Sequence, residues 1–488
     1  MTSTRLCALP ADTTDSDLYN AHIDVSDVDE RKLLRKLDIA LVPWLSFLYL
    51  LSFLDRTSIA KCLYHFEEDL HISDNQYLIA LTIFFFSYAL FEVPSNILLK
   101  RLRPSIWLST LILLWGVTMT VQGLVHNYGS LLGVRWLLGT FEAGLFPGIN
   151  YYLSCWYKRS EFGVRAAVFF SAATVSGAFG GLLAAAISNM EGVGGMPAWA
   201  WIFILEGLVT VVAGVASFWI IQDFPDTAKF LSEKERTVVV RRLQGDDQFS
   251  ANGEEFQVKY IKQSFLDWKT RIGVLIFAGA SMPMHTFSLF LPSIIHQASY
   301  EATQANLLAV PVYALACIVT CIVGFSADRC GRRSATGYII LIVSRNAALS
   351  YFAVYLAACG VFPINPNTIA WLSNNVEGAY KRGVTLAMVI SLGNLNGAVS
   401  ANVYRADNMP WYPLGKGLVL LYLGIGAAFS IVYLILLKRE NKKRERGERD
   451  EVIGDSTEKV PEENGRFATV SEAKMEKGDK WSGYRYTL

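Results

Sequence analysis

Arg135 and Glu142 are ionisable residues inside a long apolar stretch, and their types and spacing could serve binding and proton transfer. They are seven residues apart, so two helical turns would place them on nearly the same face. An arginine held there could bind a carboxylate through two hydrogen bonds. A partly desolvated glutamate beside it could exchange a proton. The alternative is a purely structural pair, either within the helix or to a neighbouring helix.

Asp55 and Arg56 form a second charged pair, at the predicted end of the first apolar stretch. A cation at the mouth of a bundle could attract an anion. A charged pair at a helix end could equally anchor the helix at the membrane interface. Both interpretations stay open.

Four further polar residues lie within apolar stretches, where such residues are rare and often functional. A glutamate could carry a proton or bond a neighbouring helix, and a histidine titrates near physiological pH but is often a packing residue. Asparagines could bond a substrate or join helices. These candidates are Glu206, His285, Asn394 and Asn396.

The composition places these side chains in a membrane protein. The chain has 488 residues, of which 52% are hydrophobic and only 18% are charged, whereas soluble domains have roughly 25% charged residues. That hydrophobicity excludes a disordered chain, and a net charge of +1 gives no general attraction to nucleic acid. No phosphate-binding, zinc-hydrolase or serine-hydrolase motif stands out. We therefore expect no enzymatic activity, no cofactor, no metal site and no nucleic-acid partner.

Apolar runs long enough to cross a bilayer recur along the chain, since a helical crossing needs about 20 residues. Backbone facing lipid must satisfy its own hydrogen bonds, so these runs are predicted to be helices. The fold class is therefore all-α and polytopic. The eleven predicted spans are 38–54, 76–99, 105–125, 131–153, 164–189, 199–221, 272–295, 303–327, 352–372, 384–404 and 416–437.

Lysine and arginine are concentrated in alternate loops, which the positive-inside rule assigns to the cytoplasm. Both termini are then cytoplasmic. The predicted organisation is a disordered N-terminal tail (1–37), an N-terminal membrane half (38–221), a central cytoplasmic loop (222–271), a C-terminal membrane half (272–437) and a disordered C-terminal tail (438–488).

Two cytoplasmic termini require an even number of spans, but eleven are evident. The missing span would be the ninth, where residues 334–351 are interrupted by Arg345 and are too short for an extra crossing and a turn. The sequence therefore predicts a truncated ninth span, through a gene-model error or a lesion.

The loop after the eighth span carries the pattern GxxxDRxGRR, which resembles the loop signature of the major facilitator superfamily. Charges there could form inter-helix pairs that close one side of a bundle; the alternative is that they only set topology. At the equivalent place after the second span, Leu99 stands where the aspartate would be. The candidate gate residues are Gly324, Asp328, Arg329, Gly331, Arg332 and Arg333.

Six further segments resemble the fungal allantoate-permease-like group of the anion:cation symporter family. They are LDRT (54–57), FEVPSN (91–96), RWLLGTFEAGLFPG (135–148), WIFILEG (201–207), DFPDTAK (223–229) and WLSNN (371–375). The resemblance covers about residues 35–440 and implies a major facilitator fold of two pseudo-symmetric six-helix halves. It supports Arg135 more than Glu142 as a functional residue. Ala200 stands where members of the group usually have arginine.

The resemblance implies a proton-coupled plasma-membrane importer of small organic anions such as allantoate, nicotinate, pantothenate or biotin. The expected partners are a small organic anion, protons and the lipid bilayer, and we expect a monomer working by alternating access. Two alternatives remain. The chain could be a transport-deficient relic or nutrient sensor, because of its truncated span, or an exporter of a pathway metabolite.

Overall fold

The computed structural model describes residues 19–20, 22–59, 66–187, 190–245, 258–296, 302–330, 347–377, 379–403, 413–453 and 464–488. Eight helices within this described part are long and apolar enough to cross a membrane. The fold is all-α and polytopic, as predicted.

The first group of membrane helices is continuous apart from short breaks. Several of these helices begin at a capping residue. Asp29 accepts hydrogen bonds from backbone N–H groups at the start of the first helix, and Ser73 and Asn127 each form a capping box at the start of a later helix. The helices are α1 (Glu30–Ser58), α2 (Phe66–Asp69), α3 (Asp74–Arg101), α4 (Pro104–Gln122), α5 (Tyr128–Glu142), α6 (Leu145–Ser154), α7 (Arg159–Ile187) and α8 (Ala198–Ile220).

The second group follows two connecting helices, α9 (Glu233–Gln244) and α10 (Val258–Leu266). Its helices are α11 (Trp268–His296), α12 (Ala302–Cys330), α13 (Ala347–Ser373), α14 (Ala379–Asn394), α15 (Asn396–Ala401) and α16 (Pro413–Glu445). The chain then forms a two-residue parallel pair, β1 (Val452–Ile453) with β2 (Arg466–Phe467), and α17 (Val470–Lys477).

Several predicted boundaries need correction. Helix α1 begins inside the predicted N-terminal tail 1–37, and α11 begins before the predicted end of the central loop, 222–271, which itself holds α9 and α10. The predicted spans 131–153 and 384–404 are each divided, into α5 and α6 and into α14 and α15. Apolar runs define where a helix can cross, whereas capping and packing decide where it begins and breaks.

One end of the bundle carries the starts of α1, α7 and α11, and we call it the basic end. Arg165 of α7 pairs with Asp38 of α1 at 2.9 Å, and Lys269 of α11 donates to the carbonyl of Asn375, just after α13, at 2.9 Å. This is the end that the positive-inside rule predicts to be cytoplasmic.

Helices α12 and α13 run in the same direction although they are consecutive in the described chain. Tyr313 of α12 lies against Gly177 of α7, and Cys321, two turns later in α12, lies near Ser171, earlier in α7, so α12 runs antiparallel to α7 and ends at the basic end. Helix α13 also ends there, since Asn374 donates to the carbonyl of Arg159. Helix α12 therefore ends at the basic end and α13 begins at the opposite end, while residues 331–346 lie outside the described residues. The predicted truncated ninth span falls mainly on them, while 347–351 belong to α13.

The prediction of a disordered C-terminal tail, 438–488, is wrong for the described part. Helix α16 extends to Glu445, and the last residues pack on the basic end. Thr487 exchanges hydrogen bonds with Asn375, and the Tyr484 hydroxyl donates to the carbonyl of Asn374. The Arg159 guanidinium stacks 4.6 Å from the Tyr484 ring. Charge and hydrophilicity indicated disorder, but these contacts bury the segment against specific partners.

Asp479 is the electrostatic centre of this packing. It pairs with Lys269 and, at 2.6 Å, with Lys381, which also lies 2.9 Å from Asp267; all four side chains are buried. Burial opposes ionisation, but the two lysines hold the pKa of Asp479 well below its ordinary value. The tail therefore supplies the second counter-charge of two buried lysines.

Asp479→Asn is expected to lower the free energy of unfolding by roughly 3–5 kcal/mol at neutral pH, because two lysines lose a buried partner. A depressed carboxyl pKa stabilises the fold above the ordinary value, 3.8, and this stabilisation is lost as the pH falls below it. Thermal unfolding of the purified protein in detergent measures both effects.

The matched control is Glu476→Gln, which removes an exposed carboxylate from the same segment. Equal melting temperatures for the two variants at neutral pH would contradict the role assigned to Asp479. So would a difference that does not shrink on acidification.

Candidate functional site

A pocket lies between the two groups of helices, with lining residues on α1, α3, α5 and α11. Its cationic lining comes from Arg56 on α1 and Arg135 on α5, and His285 on α11 faces it from the second group. The lining residues are Phe53, Arg56, Thr57, Leu81, Phe84, Phe85, Arg135, His285, Ser288 and Leu289. None of these described residues is acidic, so the lining combines positive charge with aromatic surface.

Arg56 is fixed by Glu142. Its Nη2 and Nε lie 2.6 and 3.2 Å from Glu142 Oε1, which also accepts from Ser52 at 2.6 Å. The guanidinium stacks 5.0 Å from the Tyr88 ring and 5.6 Å from the Phe84 ring. The ion pair and the aromatic faces together compensate for burying the arginine.

The prediction that Asp55 and Arg56 lie at the outer edge of the first span is wrong. Helix α1 continues to Ser58, and both side chains are buried inside the bundle. Asp55 Oδ2 accepts from Trp115 on α4 at 2.8 Å and from Thr210 on α8 at 3.0 Å. Hydrogen-bond and ion-pair partners on neighbouring helices make it possible to bury these charges inside an apolar bundle. The hydropathy of a single segment does not reveal such partners.

Arg135 and Glu142 are both buried, on α5 as predicted, but they have different surroundings. Arg135 lines the pocket, whereas Glu142 is bound by Arg56 and Ser52 of α1. Glu142 is therefore paired with a neighbouring helix, α1, which is the structural alternative given above for this residue. The pocket receives two arginines from two helices.

The remaining candidates divide between the two groups of helices. Glu206 accepts from Ser58 of α1 and lies close enough to Asp55 for an electrostatic interaction. His285 Nε2 lies 3.4 Å from Asn394 Oδ1, which also accepts from Ser281. His285 and Asn394 therefore form one buried pair beside the pocket.

Asn396 does not join that pair. Its Nδ2 donates to the carbonyl of Gly393 at 2.9 Å, which satisfies the chain where α14 gives way to α15. Its position beside Asn394 in sequence therefore does not indicate a shared role.

Glu92 was not singled out from the sequence, where it is part of the FEVPSN segment (91–96). The expectation that ionisable residues inside membrane spans are functional applies to it directly. Glu92 is fully buried on α3. Ser52 and Tyr88, which support Arg56, gave no comparable signal because serine and tyrosine are common in apolar helices.

The candidate gate motif is only partly within the described structure. Gly324, Asp328 and Arg329 lie in the final part of α12. Gly331, Arg332 and Arg333 lie outside the described residues. The gating role of the motif stays a prediction.

Contacts between the two groups occur at two levels of the bundle. Toward the basic end, Asn96 of α3 donates to the carbonyl of Gly383 at 2.8 Å, and Ser391 donates to the carbonyl of Ala89 at 2.7 Å. Toward the opposite end, Asn402 donates to Thr82 at 2.9 Å. The two groups therefore meet toward the basic end and also at the level of the pocket, where Thr82 lies next to the lining residue Leu81.

Known proteins share both sequence and fold with this chain. The family model described as Major Facilitator Superfamily matches residues 45–401. The MFS transporter prlL of a fungal species is 37% identical over 419 residues, covering 81% of this chain and 84% of that protein. The major facilitator-type transporter hxnP of Emericella nidulans is 31% identical over 412 residues, covering 80% of this chain and 82% of that protein.

Two solved structures are similar in fold at low sequence identity. The MFS proton:xylose symporter XylE bound to 6-bromo-6-deoxy-D-glucose has a TM-score of 0.62 at 13% identity, covering 82% of this chain and 96% of that chain. A bacterial homolog of the human lysosomal transporter Spinster, inward-facing and unoccupied, has a TM-score of 0.57 at 15% identity, covering 80% of this chain and 96% of that chain. The chain therefore belongs to the major facilitator superfamily, and it is an integral membrane transporter rather than an enzyme.

Proposed function

We propose that this transporter imports a small organic anion together with protons by alternating access. The observation that carries the proposal is the pocket, whose described lining has two arginines and a histidine but no acidic side chain. Such a lining favours an anion over a sugar or a cation. The proposal agrees with the resemblance to the allantoate-permease-like group.

Arg135 is proposed to bind the substrate carboxylate through paired hydrogen bonds. Arg56, which is paired with Glu142, adds positive potential beside it. Phe53, Phe84 and Phe85 offer apolar surface for the rest of the substrate.

Proton coupling is proposed to use a buried titratable group that changes solvent access during the cycle. Glu142, Glu206 and His285 are the candidates that the sequence predicts, and Glu142 is engaged by Arg56. That a proton:xylose symporter shares the fold supports coupling by analogy. A plasma-membrane location and a monomeric state complete the proposal.

Uptake of labelled allantoate, nicotinate, pantothenate and biotin by cells expressing the protein tests the function. At least one anion is expected to accumulate faster at acidic than at neutral external pH, and an uncoupler is expected to abolish the difference. Accumulation that an uncoupler increases would instead indicate export and contradict import.

Arg135→Ala is expected to reduce the Vmax/KM of uptake roughly 10-fold to 100-fold, since charge-assisted hydrogen bonds contribute about 1.5–3 kcal/mol. Arg135→Lys keeps the charge but loses the paired geometry, so its main effect is expected on KM. The control is Arg31→Ala, which changes an exposed arginine in the first turn of α1. Normal uptake by Arg135→Ala at equal surface expression would refute the assignment.

A transport-deficient alternative rests on the parallel run of α12 and α13. The end of α12 and the start of α13 lie at opposite ends of the bundle, but the chain between them is shorter than the roughly 20 residues of a helical crossing. Sequencing the transcript across this segment separates the two cases. About 15 additional apolar codons would restore a full span, whereas an unchanged transcript together with absent uptake would favour the relic or sensor.

A further inference from the structure

Glu92 lies between the pocket and the contact that closes the basic end. Tyr88, Glu92 and Asn96 are spaced four residues apart on α3, so they follow one face of the helix. Each step rises about 6 Å along the axis. Tyr88 carries the stacked guanidinium of Arg56, and Asn96 bonds Gly383 of the second group.

The Glu92 carboxyl group is fully buried, and no hydrogen bond from the described residues compensates for its loss of hydration. Its side chain is 0% exposed, and neither oxygen has a hydrogen-bond partner among the residues that the structure describes. The same holds for the hydroxyl of Tyr88, one turn away. The charged and titratable groups that act on this region from the packed helices are Arg56 and Tyr49 of α1 and Glu142 of α5.

Arg56 is the cation that acts on Glu92, but its hydrogen bonds go to Glu142. An ionised carboxylate at full burial without a hydrogen bond is strongly disfavoured, whereas the neutral acid loses much less on leaving water. While the basic end is closed, the carboxyl group of Glu92 therefore carries a proton.

We propose that Glu92 is a proton-carrying residue of this transporter, holding a proton while the basic end is closed and releasing it to water when that end opens. The release converts the neutral carboxylic acid to a carboxylate and one solvated proton. Use of this proton to drive anion import rests on the proposed function.

The position of Arg56 connects this proton to the pocket. Once ionised, Glu92 competes with Glu142 for the same guanidinium, which lines the pocket. Reprotonation of Glu92 returns Arg56 to Glu142 alone. The state of one carboxyl group thereby alters the positive charge presented to an anion.

Infrared spectroscopy of the purified full-length protein in nanodiscs tests the proton directly and needs no substrate. The difference spectrum between the wild-type protein and Glu92→Gln is expected to show a protonated-carboxyl carbonyl band at neutral pH, which separates Glu92 from other buried carboxyl groups such as Asp55 and Glu206. Glu92→Asp is expected to keep a shifted band, which controls for misfolding of the glutamine variant. Glu476→Gln, in the exposed part of the tail, is expected to leave the band unchanged.

A second arm tests release at the basic end. The double variant Asn96→Ala/Ser391→Ala removes two hydrogen bonds that close this end, so water should reach Glu92 more often. The midpoint at which the band titrates is expected to fall by about one pH unit, as hydration favours the charged form.

The outcomes are distinct. A difference spectrum without a protonated-carboxyl band overturns the proposal, and a midpoint unchanged in the double variant overturns release at the basic end. Failure of the proposed function would look different: the band would behave as expected, but no anion of the uptake panel would respond to pH.

Discussion

The ion pair between Arg56 and Glu142 is the constraint on which the centre of this bundle depends. A guanidinium in an apolar interior is tolerated only with a counter-charge, satisfied hydrogen bonds or aromatic faces, and Arg56 has all three. Because Glu142 is on α5 and Arg56 on α1, the pair also fixes these helices against each other. Arg56, held in this way, lines the pocket.

Buried charges at the basic end also need a counter-charge, and there it comes from the end of the chain. Lys269 and Lys381 begin two helices of the second group, and the carboxylate of Asp479 reaches them from the end of the chain. Tyr484 extends the contact to Arg159 of the first group. The last residues therefore contact both groups at the end where they must separate if that end opens.

Most of the fold could be predicted, and the parts that could not have physical causes. Apolar runs of membrane length located the spans, since lipid admits only backbone that is internally bonded. The break at Gly144 was not foreseen, and neither was the close approach of Ser95 on α3 to this glycine, because contacts between helices are not visible in the sequence. The ordered tail was missed because its low hydrophobicity predicts disorder unless specific partners, such as the buried lysines, are known.

The sequence by itself determined the membrane class, the helical fold, the superfamily and the identity of most buried charges, because burial of ionisable groups in apolar runs is visible in one dimension. Only the tertiary structure decided the pairing: Glu142 with Arg56, Asp55 with Trp115 and Thr210, and Glu92 without a hydrogen-bond partner in the described residues. Hydrogen bonds and ion pairs act over a few ångströms, and those distances arise only when helices remote in sequence pack together.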